Sequence, residues 1–310
     1  YRKMLRIMLH ESRTVSVAIS GGVDSAVAAA LAVIAKKPEN VVGLWRGINS
    51  DPKHREDAIE LARVLGIDLF VLDVTDEFDS ILKKMKAEAV RLGRPWVDES
   101  SSRAKESGFQ NAYASMRSRF TTPLIGFLSK AMDNGGGRII GTGNAEEDGL
   151  LRYYDKFGDG AVDCNPLNGL LKVEVRQLAI HLAARFSEGE ILKKIAHKLP
   201  SPDLHSTGDA HNDESEFSEW AKNMGFPNAK ITYGDCEKEG TIAWVIRQEQ
   251  KLQVISKDIS LAELVTRYRY KQWEAETIRF IIEVEKNTRH KDLGLPGIPR
   301  DVLIEEGYVI

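Results

Sequence analysis

The sequence predicts an α/β fold in which a doubly wound, mostly parallel sheet is followed by a helical C-terminal extension. Short apolar segments alternate with helix-like segments in the first half of the chain, which is typical of parallel strands joined by crossover helices. The first apolar segment ends in a glycine-rich turn that leads directly into an alanine-rich helix. Beyond Glu216 the patterns are mainly helical, so we expect the sheet to lie in the N-terminal part.

Four segments have the short, almost entirely apolar character expected of strands in a sheet that helices cover on both faces. These segments are residues 15–19, 41–45, 69–74 and 138–141, and the helix-like segments are residues 26–36, 54–65, 77–92 and 111–132. In such sheets ligands bind beyond the carboxyl ends of the strands. The loops after the first and fourth strands are therefore the expected place for a site.

Two polar segments, residues 93–108 and 199–216, interrupt this pattern. Long polar loops in compact domains are often lids over a binding site. An ordinary connection is equally compatible with their composition, so both interpretations stay open.

The C-terminal part is expected to contain helices over residues 237–250 and 261–287, before a tail punctuated by Pro and Gly. We predict a single domain over residues 1–310. Its α/β core would cover residues 15–200, and residues 201–310 would form a lid loop and a mainly helical part.

The composition argues against several functional classes. The chain has 310 residues, 42% of them apolar, and a net charge of −3, so it offers no general basic surface for nucleic acid. Its two cysteines, Cys164 and Cys236, belong to no Cys/His cluster, which argues against a disulfide framework or a zinc site. No apolar run approaches the roughly 18 residues of a membrane span. We expect a cytoplasmic protein that binds neither nucleic acid nor membrane.

The turn after the first strand has the sequence Ser20-Gly21-Gly22-Val23-Asp24-Ser25. The glycines let the backbone approach an anion closely, and the amides at the start of the following helix point toward it. The hydroxyl groups of Ser20 and Ser25 can add further donors. An ordinary strand-to-helix turn is the alternative, and a phosphate-binding turn is the favoured interpretation.

Asp24 is unexpected in a turn of this kind. A carboxylate repels phosphate unless a divalent cation lies between them, so we interpret Asp24 as a Mg²⁺ ligand. The Gly-Lys-Ser/Thr ending of the Walker motif is absent. The turn instead resembles the pyrophosphate-binding loop of the N-type ATP pyrophosphatases, which cleave ATP between its α- and β-phosphates. This resemblance implies ATP as a substrate and Mg²⁺ as its cofactor.

A second turn of small residues follows the fourth strand and leads into a group of acids. Its sequence is Gly141-Thr142-Gly143-Asn144-Ala145-Glu146-Glu147-Asp148. Because it lies at the same sheet edge as the first turn, its acids are candidate partners for Asp24 in a Mg²⁺ shell. The segment 156–167 and Lys172 then combine charges with turn residues, which fits a binding loop or a solvated loop. Because the phosphate-binding turn is present in the same chain, we favour a binding loop for this segment.

Six motifs occur in order between residues 15 and 291. They are the turn at 20–25, the Gly-Thr-Gly-Asn turn with Glu147, the segment 156–166, Lys172, the segment Pro200-Ser201-Pro202-Asp203-Leu204, and His290-Lys291. In this order the chain resembles the NAD⁺ synthetases, and specifically their ammonia-dependent synthetase domain. The resemblance implies an adenine nucleotide alpha hydrolase-like sheet.

The resemblance also implies which residues form the site. ATP contacts are implied for Ala18, Ile19, Ser20, Gly21, Gly22, Val23, Asp24, Ser25, Thr142, Lys172 and Ser201. Mg²⁺ coordination is implied for Asp24 and Glu147. Binding of deamido-NAD⁺ is implied for Arg117, Lys156, Asp163, His290 and Lys291.

Departures from the family pattern are concentrated near the implied dinucleotide site. Residues Asp155, Phe157, Ala161, Leu171 and Arg152 stand where the family more often has Thr, Tyr, Gly, Thr and Gly. We expect Asp155 to lower the positive charge around Lys156. Arg152 would restore that charge or contact the dinucleotide.

The implied reaction is the amidation of deamido-NAD⁺ to NAD⁺ with ammonia. ATP converts the nicotinate carboxylate to an acyl-adenylate with release of pyrophosphate, and ammonia then displaces AMP. The expected catalytic residues are Asp24, Lys172 and Asp203. Mg²⁺ and Lys172 would stabilise charge on the pyrophosphate. Asp203 could position or deprotonate ammonium, although a helix-capping role is slightly favoured for it.

The residues before Val15 are too few for the glutaminase domain of glutamine-dependent relatives, so free ammonia is the expected nitrogen source. The alternatives are another ATP pyrophosphatase, such as a GMP synthetase-type amidator or a tRNA-modifying ligase, and a nucleotide-binding regulator without turnover.

The resemblance implies a homodimer whose interface forms the deamido-NAD⁺ site, with the late helices and the helix of Arg117 as candidate contributors. The apolar stripe Ile278, Ile281, Ile282 and Val284 could pack within the subunit or across the dimer. Two-fold association is also the commonest oligomeric state.

Overall fold

The fold is described from a computed structural model. It describes residues 12–96, 109–132, 136–198, 213–234, 241–242, 244 and 258–291. The strands and helices below are those of these residues. Of the predicted features, the segment 97–108, the segment 199–212 and most of the helix expected at 237–250 lie outside them.

Four parallel strands form the sheet, in the spatial order β3-β2-β1-β4. The strands are β1 Val15–Ala18, β2 Val41–Gly47, β3 Asp68–Asp73 and β4 Arg138–Ile140. In the register of the central strand, Val15 pairs with Val41 on one side and with Arg138 on the other. The predicted parallel α/β sheet is confirmed, and all four strands lie where the apolar segments placed them.

Helices cover both faces of the central strands. They are α1 Val23–Lys36, α2 Pro52–Leu65, α3 Thr75–Arg91, α4 Phe109–Ala131, α5 Lys172–Ala183 and α6 Glu190–Ala196. In β2, Val41 and Trp45 join the core formed with α1, whereas Val42 and Leu44 pack against Ile125 of α4 on the other face. This period-two alternation shows that the sheet is doubly wound, as predicted.

The alanine-rich sequence of α1 explains its central position. Eleven of its fourteen residues are buried, and most of them are alanines. Because alanine has a small side chain, the sheet on one side and the neighbouring helices on the others can all approach α1 closely. The amino end of this helix, which carries the glycine turn, is thereby held against the carboxyl edge of the sheet.

The edge strand β3 departs from the expectation of a sheet covered on both faces. Phe70 is 41% exposed and Leu72 is 37% exposed, although both are large and apolar. The following helix α3 buries only Phe78, which contacts Tyr113 of α4 edge to face. Within the described residues one face of β3 is therefore open, because α3 packs mainly through Phe78, with Leu82 partly buried beside it.

The C-terminal part is helical, as predicted, but the helix expected at 261–287 is two helices. The elements here are α7 Asp213–Asn223, α8 Leu261–Thr266, α9 Gln272–Thr288 and a 3₁₀ turn Arg289–Lys291. Arg269 has a left-handed φ of 57° between α8 and α9, and Glu274 accepts the backbone N–H of Lys271 at the start of α9. Helix α7 begins at Asp213, which lies inside the predicted polar segment 199–216.

A second apolar core holds this part together. The stripe of Ile278, Ile281, Ile282 and Val284 is fully or almost fully buried there, with Phe217 of α7. Of the two alternatives for this stripe, packing within the subunit is confirmed. Leu151, at the end of the segment after β4, belongs to the same core, so the second core reaches the edge of the sheet where a ligand is expected.

Candidate active site

The glycine turn between β1 and α1 has the geometry of an anion cradle. Gly21 has a φ of +86°, and a Cβ added there would lie 2.6 Å from the carbonyl oxygen of His54. Only glycine fits that position without strain. The Ser25 Oγ donates to the Gly22 carbonyl at 3.0 Å, and the Ser20 Oγ accepts the Gly22 N–H at 3.2 Å. These bonds fix the backbone before any ligand binds.

All residues of the predicted ATP segment except one line the main cavity, which has a volume of about 590 Å³. The members of the segment that line it are Ala18, Ser20, Gly21, Gly22, Val23, Asp24 and Ser25, and Thr142 and Lys172 join them. Ile19 is the exception, because its side chain is buried in the core and its N–H donates to the Leu44 carbonyl at 2.8 Å. Ser201 and Asp203 lie outside the described residues.

Lys172 joins the two predicted metal ligands. Its Nζ lies 2.6 Å from Asp24 Oδ2 and 2.8 Å from Glu147 Oε1. Asp24 comes from the first turn of α1, Glu147 from the segment after β4, and Lys172 from the first residue of α5. Three elements far apart in sequence therefore converge at the carboxyl edge of the sheet, and Lys172 is only 4% exposed there.

Asn144 fixes the second turn against the first. Its Oδ1 accepts the backbone N–H groups of Glu146 and Glu147, each at 3.0 Å, and so caps the π-helical turn Ala145–Leu151. Its Nδ2 donates to Asp24 Oδ1 at 3.2 Å. The side chain of Asn144 thus sets both the start of this turn and the position of Asp24.

The charges at this centre are buried, and two carboxylates face one ammonium group. Burial alone would lower the pKa of Lys172, but the carboxylates of Asp24 and Glu147 outweigh burial and raise it above its ordinary value. Lys172 is therefore a cation at neutral pH. Two further acids are largely protected from water: burial raises the pKa of Glu146 to about 7 and that of Asp148 to about 8. The surroundings of Lys172 are rich in carboxyl groups.

The residues present fit a divalent cation. Carboxylate oxygens of Asp24 and Glu147, from different elements, point to one position, where both contact the Lys172 ammonium. Mg²⁺ prefers hard oxygen ligands of this kind. Within the described residues no group of three or more His, Cys, Asp or Glu forms a complete metal cage. Phosphate oxygens and water would therefore have to complete the shell, as is usual for nucleotide-bound Mg²⁺.

The sequence analysis missed two basic residues beside the glycine turn, Lys198 and Arg176. Lys198 donates to the Gly21 carbonyl at 3.4 Å, and its ammonium also pairs with Asp57. Arg176 lines the same cavity and donates to the Lys198 carbonyl at 3.2 Å. No motif marks these residues, because their closeness to the turn depends on how α6 packs beside α1.

Four of the five predicted dinucleotide residues lie together around a second cavity of about 450 Å³. Lys156, Asp163 and Lys291 line it, and the Lys156 Nζ donates to the His290 carbonyl at 3.0 Å. The Lys291 Nζ donates to the carbonyls of Arg152 and Tyr154 at 2.7 and 2.6 Å. Tyr154 and Lys291 line the main cavity as well, so the two cavities adjoin.

Arg117 lies apart from these four residues. It is buried, and its Nη2 donates to the carbonyl of Ile48, just beyond the end of β2. It lines the main cavity and not the second one. Asp163 also has a structural contact, because its carboxylate accepts the Ile139 N–H at 2.7 Å.

Two departures from the family pattern have local explanations. Asp155 pairs with Arg119 of α4 at 2.8 Å and accepts a hydrogen bond from Ser115, so its charge is balanced by α4. Arg152 has a left-handed φ of 47°, a conformation that glycine adopts readily, which is consistent with the glycine often found there. The carbonyl of Arg152 holds Lys291.

The described part of the chain contains no helix that is both long and apolar enough to cross a lipid bilayer.

Comparison with known proteins gives a consistent family. A family model described as NAD synthase matches residues 3–221. The chain is 34% identical over 190 residues to the NH(3)-dependent NAD(+) synthetase of Methanococcoides burtonii, with 61% of each chain covered. It is 35% identical over 184 residues to that of Pyrobaculum aerophilum, covering 59% of this chain and 60% of the relative. The match thus spans about three fifths of the length of these curated relatives.

Solved structures share the fold over nearly the whole chain. An NMN synthetase from Francisella tularensis has a TM-score of 0.62 at 22% identity and covers 94% of this chain and 92% of its own. An NH3-dependent NAD synthetase from Campylobacter jejuni has a TM-score of 0.56 at 20% identity, with 96% of both chains covered. At these identities the likeness shows the fold.

Proposed function

The chain belongs to the NAD synthase family, and from that premise we propose that it amidates deamido-NAD⁺ to NAD⁺ with ammonia and ATP. The observation that carries the proposal is the contact of Lys172 with Asp24 and Glu147 beside the glycine turn. A protein that only binds adenosine needs no such charged centre next to a phosphate cradle. The same centre therefore argues against the alternative of a regulator without turnover.

Activation of the substrate begins with ATP in the main cavity. The nicotinate carboxylate attacks the α-phosphorus, the bond between the α-phosphorus and the bridging oxygen breaks, and pyrophosphate leaves. The glycine turn would hold the phosphates through its amides, and Lys172 would stabilise the charge that develops on pyrophosphate. Asp24 and Glu147 would hold Mg²⁺, which when bound neutralises phosphate charge.

Lys198 and Arg176 would extend the phosphate site, because both line the main cavity. The Lys198 ammonium lies at the Gly21 carbonyl and Asp57 fixes it there. A second cation at this position favours binding of the terminal phosphates, whose charge is the highest in ATP. We therefore assign to Lys198 a role in ATP affinity.

The dinucleotide would occupy the second cavity and reach the main one with its nicotinate end. Lys156 and Lys291 are cations at this cavity, and their side chains are held by backbone carbonyls of the same region. A mononucleotide would leave much of this adjoining space unfilled, so the geometry favours deamido-NAD⁺ over the mononucleotide. The NMN synthetase among the fold neighbours makes the mononucleotide the appropriate comparison substrate.

In the second half-reaction, ammonia attacks the acyl carbon of the adenylate, AMP leaves with the former carboxylate oxygen, and one proton is lost. Asp203 stays a candidate for positioning ammonium. No covalent protein intermediate is required, and burial raises the pKa of the Cys164 thiol to about 11, which disfavours a thiolate nucleophile. A cytoplasmic location, where ATP is available, is part of the proposal.

Two-fold association is also proposed, with an interface that differs from the one expected from the sequence. Phe127 and Met132, in and just after α4, are 76% and 43% exposed. Arg117 on the same helix is buried inside its own subunit, and the stripe on α9 faces the second core. The exposed face of α4 is therefore the better candidate for contact between subunits. Light scattering at micromolar concentration would test this, and a monomeric mass with full activity would contradict it.

The proposed reaction is tested by product analysis. The protein is incubated with ATP, Mg²⁺ and ammonium, and with deamido-NAD⁺, nicotinate mononucleotide or xanthosine monophosphate as acceptor. We expect AMP and pyrophosphate in equal amounts with NAD⁺, and only when deamido-NAD⁺ is present. Release with xanthosine monophosphate instead would identify a GMP synthetase-type amidator, and comparison of glutamine with ammonium tests the nitrogen source.

A further inference from the structure

Tyr233 reaches the charged centre from the C-terminal part of the chain. Its hydroxyl donates to Glu147 Oε1 at 2.8 Å, the same oxygen that the Lys172 ammonium contacts at 2.8 Å. The Tyr233 hydroxyl also lies 3.1 Å from Asp213 Oδ2, and the Lys172 Nζ lies 5.3 Å from the centre of the Tyr233 ring. Tyr233 is thus in contact with both Glu147, a predicted metal ligand, and the ammonium group of Lys172.

The side chain of Tyr233 is held in place by its own region. It is 8% exposed and belongs to the second core, where its ring packs edge to face on Phe217. Its backbone N–H donates to Glu214 Oε1 at 2.8 Å. Close by, the Lys230 N–H donates to the Thr277 hydroxyl of α9 at 2.9 Å. The hydroxyl is therefore presented to Glu147 from a fixed position.

Tyr233 lies beyond residue 221, where the match to the family model ends. None of the six motifs includes it. The Tyr233 hydroxyl donates directly to the Glu147 carboxylate. A donor to a metal-binding carboxylate orients that carboxylate and limits its rotation.

We propose that Tyr233 is a positioning residue whose hydroxyl holds the Glu147 carboxylate in the orientation needed to bind a divalent cation. The inference rests on the proposed function in that Glu147 must be a metal ligand. Without the hydroxyl, the contacts that the described residues make with the Glu147 carboxylate are those of the α/β part, and the carboxylate can turn fully toward Lys172. The C-terminal core would in this way set the metal affinity of the site.

The test measures metal binding without turnover. Mn²⁺ serves as the probe, in the presence of the full chain and α,β-methylene ATP, whose bridge between the α- and β-phosphorus cannot be cleaved. The electron paramagnetic resonance signal of free Mn²⁺ reports the dissociation constant, once the Mn²⁺ that the nucleotide binds by itself has been measured in a sample without protein. Tyr233→Phe removes the hydroxyl and keeps the ring that faces Lys172. Tyr268→Phe is the matched control, because Tyr268 packs on the same core.

We expect Tyr233→Phe to weaken Mn²⁺ binding by about 10-fold or more, the loss typical of removing such a partner. The Tyr268→Phe variant should bind Mn²⁺ as the unmodified protein does. In the activity assay, Tyr233→Phe should raise KM for Mg²⁺, while kcat at saturating Mg²⁺ and KM for deamido-NAD⁺ stay within about threefold. A general loosening of the fold would instead change all of these constants together.

Unchanged Mn²⁺ affinity in a folded Tyr233→Phe variant would overturn the inference, and so would an equal loss in Tyr268→Phe. Circular dichroism and the melting temperature establish folding. Should Tyr233→Phe not fold, Tyr233→Met gives a second variant without the hydroxyl, with a flexible side chain that fills the space. Absence of Mn²⁺ binding by the unmodified protein would overturn the metal role of Glu147 itself, whereas normal binding with no product formation would contradict the proposed reaction alone.

Discussion

The two adjoining cavities hold their cations in different ways. In the main cavity Lys172 forms buried ion pairs with the side chains of Asp24 and Glu147. In the second cavity Lys156 and Lys291 donate to backbone carbonyls, which are dipoles without net charge. In the first arrangement carboxylates neutralise the charge of Lys172 until a ligand competes for it, whereas in the second backbone carbonyls orient two lysines that line the cavity.

This difference separates chemistry from affinity. A buried centre in which carboxylates hold the cation is suited to a reaction in which charge moves, because its groups are already oriented and largely shielded from water. Two lysines that line a cavity are suited to binding an anionic substrate, because an ammonium group forms charge-assisted hydrogen bonds with phosphate. Substitutions of Asp24 and Lys172 should therefore affect kcat, and substitution of Lys156 should affect KM for deamido-NAD⁺.

The largest effect is expected for Asp24→Asn. The amide keeps the shape of the side chain and removes the charge that would hold Mg²⁺, so NAD⁺ formation should fall by more than about 100-fold, since loss of a ligand should exceed loss of its hydrogen-bond partner. Circular dichroism should remain unchanged, because Asn144 can still bond to the new side chain. Near-native turnover at saturating Mg²⁺ would remove Asp24 from the metal role.

Lys172→Ala should reduce adenylylation by about 100-fold, the loss typical of removing one charge-stabilising donor. The isotope exchange between pyrophosphate and ATP measures this half-reaction. The KM for deamido-NAD⁺ should change little. Unchanged isotope exchange together with weakened dinucleotide binding would show that Lys172 binds deamido-NAD⁺ and not the phosphates of ATP. That result would contradict the difference between the two cavities.

Lys156→Ala tests the second cavity. Loss of one hydrogen bond from a charged group, worth about 1.5 kcal/mol, should raise KM for deamido-NAD⁺ by about 10-fold and leave kcat nearly unchanged. Lys222→Ala, an exposed lysine of α7, serves as the control for a simple change in net charge. A fall in kcat without a change in KM would show that the second cavity takes part in the chemistry.

The smallest effect is expected for Lys198→Ala, and the chain offers a matched control. Lys194 and Lys198 both pair with Asp57, but only Lys198 contacts the glycine turn. Because the Lys198 side chain is partly solvated, its loss should cost about 1 kcal/mol and raise KM for ATP by about fivefold. Lys194→Ala should leave KM for ATP unchanged, and equal effects of the two substitutions would refute a phosphate role for Lys198.

Much of the fold could be predicted from local patterns. The four parallel strands follow from short apolar segments. The nearness of Glu147 to Asp24 follows from two turns at one sheet edge, whereas the place of Lys172 was implied by the family resemblance. The open face of β3 could not be predicted, because its sequence is apolar and its exposure depends on how few residues α3 buries. The break in the helix at 261–287 depends on the left-handed Arg269, a residue type that rarely signals such a turn.

The contacts of the site that sequence reasoning missed are all tertiary. Tyr233 meets Glu147 only because the second core packs against the end of the π-helical turn, 86 residues away in sequence. Lys198 meets Gly21 across 177 residues through the packing of α6 on α1. Conversely, Ile19 was included in the ATP segment because a motif is contiguous, whereas strand alternation turns its side chain into the core.

The central claim is that Asp24 and Glu147 form one cation site between the glycine turn and Lys172. A crystal structure with Mn²⁺ and α,β-methylene ATP, with the metal located by its anomalous scattering, tests it most directly. We expect a single Mn²⁺ in contact with oxygens of Asp24, Glu147 and the phosphates, with the Lys172 ammonium on phosphate. A metal bound elsewhere, or ATP phosphates outside the turn with Lys172 still between the two carboxylates, would contradict the account.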